Sequence, residues 1–415
     1  MHLFTSKFVE RPEYVRELSG SVTTPAGFKA AGVAAGIKRS GSPDMGLLLS
    51  TAPCTSAAMY TTNAAAAAPV KVCTEELSRG ALRGVVVNSG SANACTGAQG
   101  LADARAMVKL AASAVGADPA GMAVASTGVI GTPLPMDGIE AGIYAAAAAL
   151  SENGGGDFAA AIRTTDSLDK VGAVEVELST GTVSIGACAK GAGMIAPSMA
   201  TMLAFITTDV LIRADLLQET LLLAAGQSFN AVSVDGDMST NDSLFMLASG
   251  GSGLAVEPGS GDYDRFAAAV NAVCKGLALK MVADGEGATK TVGLDVTGAA
   301  DSGEAVRVAR AVASSVLVRT AFYGRDANWG RIMASAGAAL SGEAELDADI
   351  FFEDICLAKA GAAGPGQPPA DRLREVMEQQ EIAVTLALHR GHAGHAMYFS
   401  DLTHDYVTLN ADYTT

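Results

Sequence analysis

One apolar run near the middle of the chain, Lys190-Gly-Ala-Gly-Met-Ile-Ala-Pro-Ser-Met-Ala-Thr-Met-Leu-Ala-Phe-Ile-Thr-Thr-Asp209, is placed to do chemistry. It holds no charge between its ends and sets Thr201 directly after Ala200. Residues 202–206 predict a buried strand, and Gly191, Gly193 and Pro197 break the chain before it. Thr201 is therefore expected at the mouth of a strand, behind a loop that cannot relax into a helix. A Thr hydroxyl is a weak nucleophile and needs a base. Apart from His2, the sequence has no His until His389, so a Ser-His-Asp or Cys-His arrangement would have to borrow a distant residue. The alternative is that Thr201 becomes the first residue of its own chain. Its α-amine, with a pKa near ~8, then serves as the base. This requires cleavage of the Ala200–Thr201 bond, which the Thr201 hydroxyl can perform by attacking the Ala200 carbonyl and passing through an ester. Most Thr residues in apolar strands do no chemistry, so the remainder of the chain decides the matter.

The elements around this run follow from periodicity. Strands are expected at 46–50, 57–62, 84–87, 123–125, 173–178, 182–188, 316–322, within 343–352, and at 382–388, 396–399 and 406–409. Helices are expected at 98–115, 137–150, 157–162, 214–226, 264–282, 302–315 and 371–380. Alternation of the two types indicates an α/β protein. Residues 1–20 read as an extension outside the core. The strand, Asn/Gly loop and helix over 84–115 could form an anion cradle, but no Gly-x-x-x-x-Gly-Lys-Thr is present and the same residues suit a turn. Residues 126–131 read as a tight turn whose backbone N–H groups could also face a cleft and hold an oxyanion.

Bulk properties narrow the classes. The 415 residues suit two or three domain-sized units, and 49% hydrophobic with 17% charged residues permits a large core. A net charge of −16 disfavours nucleic acid as a partner and draws cationic ligands weakly. The cysteines Cys54, Cys73, Cys95, Cys188, Cys274 and Cys356 lack paired spacing, as expected of free thiols in the cytoplasm. No signal-peptide core and no uninterrupted apolar run of spanning length is seen, so no membrane span is expected. One metal reading is rejected and a second is disfavoured. Asp235, Asp237, Ser239 and Asn241 have calcium-loop spacing, but Thr240 and Met246 stand where Gly and Glu are required. His389, His392 and His395 lie in a Gly-rich stretch that reads as a hairpin loop.

Lys190-Gly-x-Gly-Met-Ile-Ala-Pro-x-Met-Ala-Thr-Met-Leu resembles the self-cleavage segment of the ornithine acetyltransferase family, the bifunctional arginine-biosynthesis acetyltransferases. The resemblance covers roughly residues 23–415. It takes in Thr61-Thr-Asn63 with Ala67-Ala-Pro-Val70 as the family's opening hairpin, Ser126-Thr-Gly128, Thr164-Thr-Asp166, Asp284-Gly-Glu-Gly-Ala288 and the terminal Asn410-Ala-Asp-Tyr-Thr-Thr415. The family commonly has Lys where Ala64 stands and Pro where Ala327 stands.

The resemblance implies stacked β-sheets covered by helices. It implies an α chain, residues 1–200, and a β chain, residues 201–415, assembled as α2β2. It assigns Thr201 as nucleophile, Thr127 and Gly128 as the oxyanion hole, and Thr164, Lys190, Thr201, Glu286, Asn410 and Thr415 as substrate-binding residues. The implied reaction moves acetyl from N-acetylornithine to glutamate through an acetyl-Thr ester, with no cofactor and no metal; acetyl-CoA as an alternative donor is left open. The competing readings are a self-cleaving N-terminal-nucleophile amidase or aminopeptidase, an acetyltransferase copy serving specialised metabolism, and a non-catalytic binding protein on the same fold.

Overall fold

The computed structural model describes residues 2–196, 202–342, 345–365 and 370–412, which form three sheets. The six-stranded sheet has the order β1 (Val15–Leu18), β7 (Lys170–Leu178), β8 (Gly181–Lys190), β9 (Leu203–Thr208), β11 (Ser243–Ala248) and β4 (Thr55–Tyr60). It is a middle layer, which explains why residues 202–206 are apolar throughout. Side chains of a strand alternate between faces. Ala204 and Ile206 join a core with helices α5 (Ala214–Gln227) and α6 (Gly261–Ala283). Leu203 and Phe205 join the core on the opposite face. A strand buried on both sides reads as a continuous apolar run.

That opposite core is shared with a four-stranded sheet of β2 (Phe28–Val33), β3 (Met45–Ser50), β5 (Gly84–Ser91) and β6 (Met122–Val129). Helices α1 (Ala68–Glu76), α2 (Gly97–Val115), α3 (Met136–Ala148) and α4 (Gly155–Ile162) contribute to it. The third core belongs to a seven-stranded sheet in the order β10 (Val232–Ser233), β17 (Ala393–Ser400), β12 (Thr291–Ala299), β16 (Glu381–Ala387), β13 (Asp349–Phe352), β14 (Ile355–Lys359) and β15 (Ala362–Ala363). Helices α7 (Ser302–Ala313), α8 (Val316–Tyr323), α9 (Trp329–Ala339) and α10 (Ala370–Glu378) pack with it, and α11 (His404–Asp412) closes the described chain. This is the expected α/β arrangement of stacked, helix-covered sheets. Helix α6 is long and apolar enough to cross a bilayer by composition, but most of it is buried in the first core.

Several local expectations are corrected. Residues 2–18 are not an outlying extension: Leu3, Val9 and Val15 lie in the first core, and β1 pairs antiparallel with β7. The stretch after Asn63 is no hairpin but helix α1, with Pro69 in its first turn, where a missing N–H costs nothing. Residues 316–322 are β-branched and aromatic yet helical. Ser315 caps them by accepting from Val318 N, and Val318 and Phe322, one helical turn apart, are both buried. Residues 406–409 are likewise helical, because the Thr403 hydroxyl accepts from Tyr406 N and starts α11. Residues 126–129 continue β6 and do not form a free turn. Strands β16 and β17 are no hairpin, since both flank β12. Between them, His389 Nε2 lies 3.2 Å from Asp349 Oδ2. Of the strands expected within 343–352, Glu343 and Ala344 lie outside the described residues, and β13 accounts for the end.

The aromatic contact beneath the middle sheet provides a stability test. Phe205 is fully buried, with its ring edge-on to Phe158 at 4.9 Å and stacked on Phe245 at 5.7 Å. Phe205→Ala is expected to cost about 3–5 kcal/mol, read as a lower denaturation midpoint at unchanged m-value.

Candidate functional site

The ends of strands from two sheets meet beside the stretch 191–196. In the middle sheet Lys190 pairs with Leu203 across β8 and β9, and Ser243 pairs with Leu203 across β9 and β11. Leu203, the first residue of β9, is therefore flanked by the last residue of β8 and the first of β11. From the four-stranded sheet, β6 brings Thr127 and Gly128 to the same place, because β5 and β6 run parallel with a register shift at Gly90 and Ser91. Gly128 has φ 133°, and a Cβ on it would stand 2.4 Å from the Gly90 carbonyl carbon, so no side chain fits.

A cleft of about 130 Å³ opens there. Thr127, Gly128, Thr164, Lys190, Glu286 and Asn410 all line it. Six residues assigned on resemblance from separate parts of the chain are thus brought together. Thr201 and Thr415, and with Thr201 the Ala200–Thr201 bond, lie outside the described residues. A neighbouring hollow of about 460 Å³ shares Thr165, Glu286 and Asn410 with the cleft and adds Ser167, Asp284 and Leu409.

Lys190 is buried, and its ammonium donates to Thr127 Oγ1 at 3.0 Å. With that lone pair used, the Thr127 hydroxyl proton is free to donate elsewhere, and the cleft is the open direction. Burial pushes the Lys190 pKa down, while Asp166, Asp242 and Glu286 oppose the shift. Glu286 Oε2 accepts from Asn410 Nδ2 at 3.0 Å, which ties α11 to the cleft wall. A Cβ on Gly193 would meet the Glu286 carboxyl at 2.7 Å, so glycine lets the 191–196 stretch pass against that carboxylate.

The sequence did not reveal how this stretch is held. Gly191 N donates to Asp166 Oδ1 at 2.7 Å. Met194 N and Ile195 N donate to the two oxygens of Asp235, the latter at 2.9 Å. Beyond the undescribed residues, Met202 N donates to Asp242 Oδ1 at 2.9 Å. Asp166 in turn receives Lys170 Nζ at 2.6 Å, and Lys170 also reaches Asp284 at 2.5 Å. Burial alone would raise the Asp166 pKa; Lys190, Lys170 and the Gly191 N–H outweigh it and hold the group at about 2. Asp235 shows the opposite balance, with burial pushing it up to about 6 against its N–H donors. Asn241 had stood out only in a rejected metal spacing. It donates to the Ala92 carbonyl at 2.6 Å and the Ser126 carbonyl at 2.8 Å, locking the loop before β11 to the strand that carries Thr127. Among the described residues no cluster of His, Cys, Asp and Glu could hold a metal ion. The described cysteines are free thiols, as expected.

Fold and cleft together define an α/β protein with a cleft at converging strand ends, lined by one buried ammonium, one carboxylate and several hydroxyls. Residues 29–415 match the ArgJ family, and the chain belongs to it. The arginine biosynthesis bifunctional protein ArgJ of Symbiobacterium thermophilum is 48% identical over 404 residues, covering 96% of this chain and 99% of that protein. The protein of the same name from Bacillus anthracis is 42% identical over 398 residues, covering 95% and 97%. A solved ornithine acetyltransferase chain from Mycobacterium tuberculosis, complexed with ornithine, is 40% identical and spans 46% of this chain and 100% of that chain, with a TM-score of 0.41.

The ion cluster sets a pH dependence. The Asp166 pKa is depressed on folding, so its contribution is present above about pH 4 and is lost as pH falls towards 2. Asp166→Asn is expected to lower stability at pH 7 by about 2 kcal/mol and to flatten the acid limb of the stability curve, measured by urea denaturation between pH 3 and pH 7.

Proposed function

We propose that this chain is an ornithine acetyltransferase of arginine biosynthesis that moves acetyl from N2-acetyl-L-ornithine to L-glutamate. Membership of the ArgJ family over nearly the whole chain carries the reading. The charge pattern of the cleft supports it. Glu286 suits a substrate amino group, and the Lys190 ammonium, with donors to spare beyond Thr127, suits a carboxylate. Thr164 and Asn410 also line the cleft, and Thr415 is assigned to the same pocket on resemblance.

In the mechanism we infer, the Thr201 hydroxyl first cleaves the Ala200–Thr201 bond, giving an α chain of residues 1–200 and a β chain of residues 201–415 that stay together. The free α-amine then takes the hydroxyl proton as the oxygen attacks the acetyl carbonyl. Thr127 and the Gly128 backbone face the developing oxyanion, a donor of this kind being worth about 3 kcal/mol. Ornithine leaves with the returned proton, and glutamate attacks the acetyl-Thr ester to give N-acetylglutamate. Acetyl-CoA could acylate the same oxygen. An α2β2 assembly in the cytoplasm is part of the proposal.

Intact mass under denaturing conditions tests the cleavage. Two chains divided between Ala200 and Thr201 are expected for the wild type, and one inactive chain near 41.7 kDa for Thr201→Ala. An uncut protein transferring acetyl at the normal rate would overturn this mechanism. Acetyl released to water at equal rate with and without glutamate would instead mark an amidase. Glu286→Gln is expected to raise KM for N-acetylornithine by roughly tenfold or more, the loss of a charge-assisted contact, with a smaller effect on kcat.

A further inference from the structure

The donor and the acceptor of the proposed reaction differ in charge at the far end of the side chain. Ornithine ends in an ammonium and glutamate in a carboxylate. Glu286 in the cleft wall suits the first and repels the second. Lys190 offers one ammonium, whereas glutamate brings two carboxylates. A second cation is therefore needed at the cleft. Lys38, Arg163 and Lys170 are grouped around Lys190 and Asp166. Lys170 is committed to Asp166 and Asp284, and Arg163 Nε lies 3.1 Å from Asp169 Oδ1. Lys38 differs. Among the described residues its ammonium forms no ion pair, and its hydrogen bond goes to the neutral Pro43 carbonyl at 2.8 Å. An ammonium has three donors, so two remain.

The loop that carries Lys38 is built firmly. The Asp44 carboxylate is fully buried and accepts from Ala35 N at 2.6 Å, Ile37 N at 2.7 Å and Lys38 N at 2.8 Å. The Asp44 carbonyl accepts from Ser89 N at 2.8 Å, which ties the loop to β5. A Cβ on Gly90 would stand 3.3 Å from Lys38 Cγ, so the lysine stem lies against Gly90. Gly90 pairs with Gly128 across β5 and β6. Ser89 Oγ donates to the Ala161 carbonyl at 2.5 Å, bringing the segment that leads to Thr164 alongside. Lys38 is thus set beside the edge of the cleft that Gly128 and Thr164 line. Burial pushes its pKa down to about 8; Lys190 and Arg163 add to the shift, and Asp44 and Asp166 oppose it. A carboxylate arriving there meets a half-buried cation that has no carboxylate partner of its own.

We propose that Lys38 is the acceptor-selecting residue of this site, its ammonium receiving the side-chain carboxylate of glutamate. This rests on the reading of the chain as an ornithine acetyltransferase. The flexible four-carbon stem lets the ammonium leave the Pro43 carbonyl for the incoming charge. One cleft then serves side chains of opposite sign in the two half-reactions, with Lys38 at the Gly128 edge and Glu286 beside Gly193 and Asn410.

The test uses Lys38→Met, which keeps an apolar stem against Gly90 and removes the charge. Isotope exchange between ornithine and N-acetylornithine reports the donor half-reaction alone. Exchange between glutamate and N-acetylglutamate reports the acceptor half-reaction alone. The expected result is a KM for glutamate raised by roughly tenfold to a hundredfold, with ornithine exchange changed by less than about threefold. The preference for glutamate over glutamine as acceptor falls by a similar factor, and Lys38→Arg restores it in part. Equal loss of both exchanges in a folded variant marks a merely structural role and overturns the proposal. An unchanged glutamate KM with unchanged preference over glutamine also overturns it, leaving the acetyltransferase reading intact. A wild type that exchanges neither pair overturns that reading and the proposal with it. Should the variant fail to fold, a crystal structure of the wild type with N-acetylglutamate decides: Lys38 Nζ within about 3.5 Å of the side-chain carboxylate supports the proposal, and a longer separation overturns it.

Discussion

Carboxylates that accept backbone N–H groups are the interactions on which the site depends. The 191–196 stretch has no helix or strand of its own, so its donors must be satisfied from outside. Asp166 supplies one acceptor from the segment before β7, and Asp235 supplies two from the segment after β10. Such bonds to a charged oxygen are shorter and stronger than neutral ones. They add to the packing of Ile195 in the first core, while the glycines of the stretch offer little apolar surface. Lys170 anchors Asp166 in turn and is itself shared with Asp284, two residues before Glu286. The stretch leading to the strand mouth and the carboxylate lining the cleft are thereby set by one buried ion cluster.

The layering explains why these groups converge. The middle sheet is covered on both faces, and its open ends are the places where polar groups can gather without disrupting a core. Thr127 and Gly128 come from the four-stranded sheet, Lys190 from the middle sheet, and Glu286 from the segment leading into β12 of the seven-stranded sheet. Asn410 arrives last, on α11, which has no buried side chain of its own and is held to the site through Glu286. No one of these segments contains a site; the stacking of sheets makes it.

Long periodic elements were legible from the residues. Helices α2, α3, α5, α6 and α7 fall where their apolar spacing placed them, and β9 was evident as an uncharged run. Short β-prone stretches misled. Val318 and Phe322 pack as one face of a helix, and Tyr406 follows a Thr403 cap, because a cap and a four-residue spacing outweigh β propensity over so few residues. The candidate site residues came from motif resemblance rather than from pattern, and six of them do share one cleft. Asp166 stood in a quoted motif but its role did not, and Lys170 and Asp242 could not be singled out in that way. A carboxylate serving a distant backbone N–H or ammonium leaves no local spacing to read: two backbone pairs here are 25 and 40 residues apart, and the Lys170–Asp284 ion pair 114.

The antiparallel pairing of β8 with β9 has a consequence for the integrity of the molecule. Strands β8 and β9 form one antiparallel ladder, and each pairs on its other side with a further strand, β7 and β11. A nick between Lys190 and Leu203 would leave β8 in one piece and β9 in the other, still joined by their ladder. The two pieces would share a sheet, two cores and an ion cluster, so separating them would mean unfolding them. Such a break would exchange a covalent constraint for a topological one, and the halves would endure as a single folding unit with no linker between them.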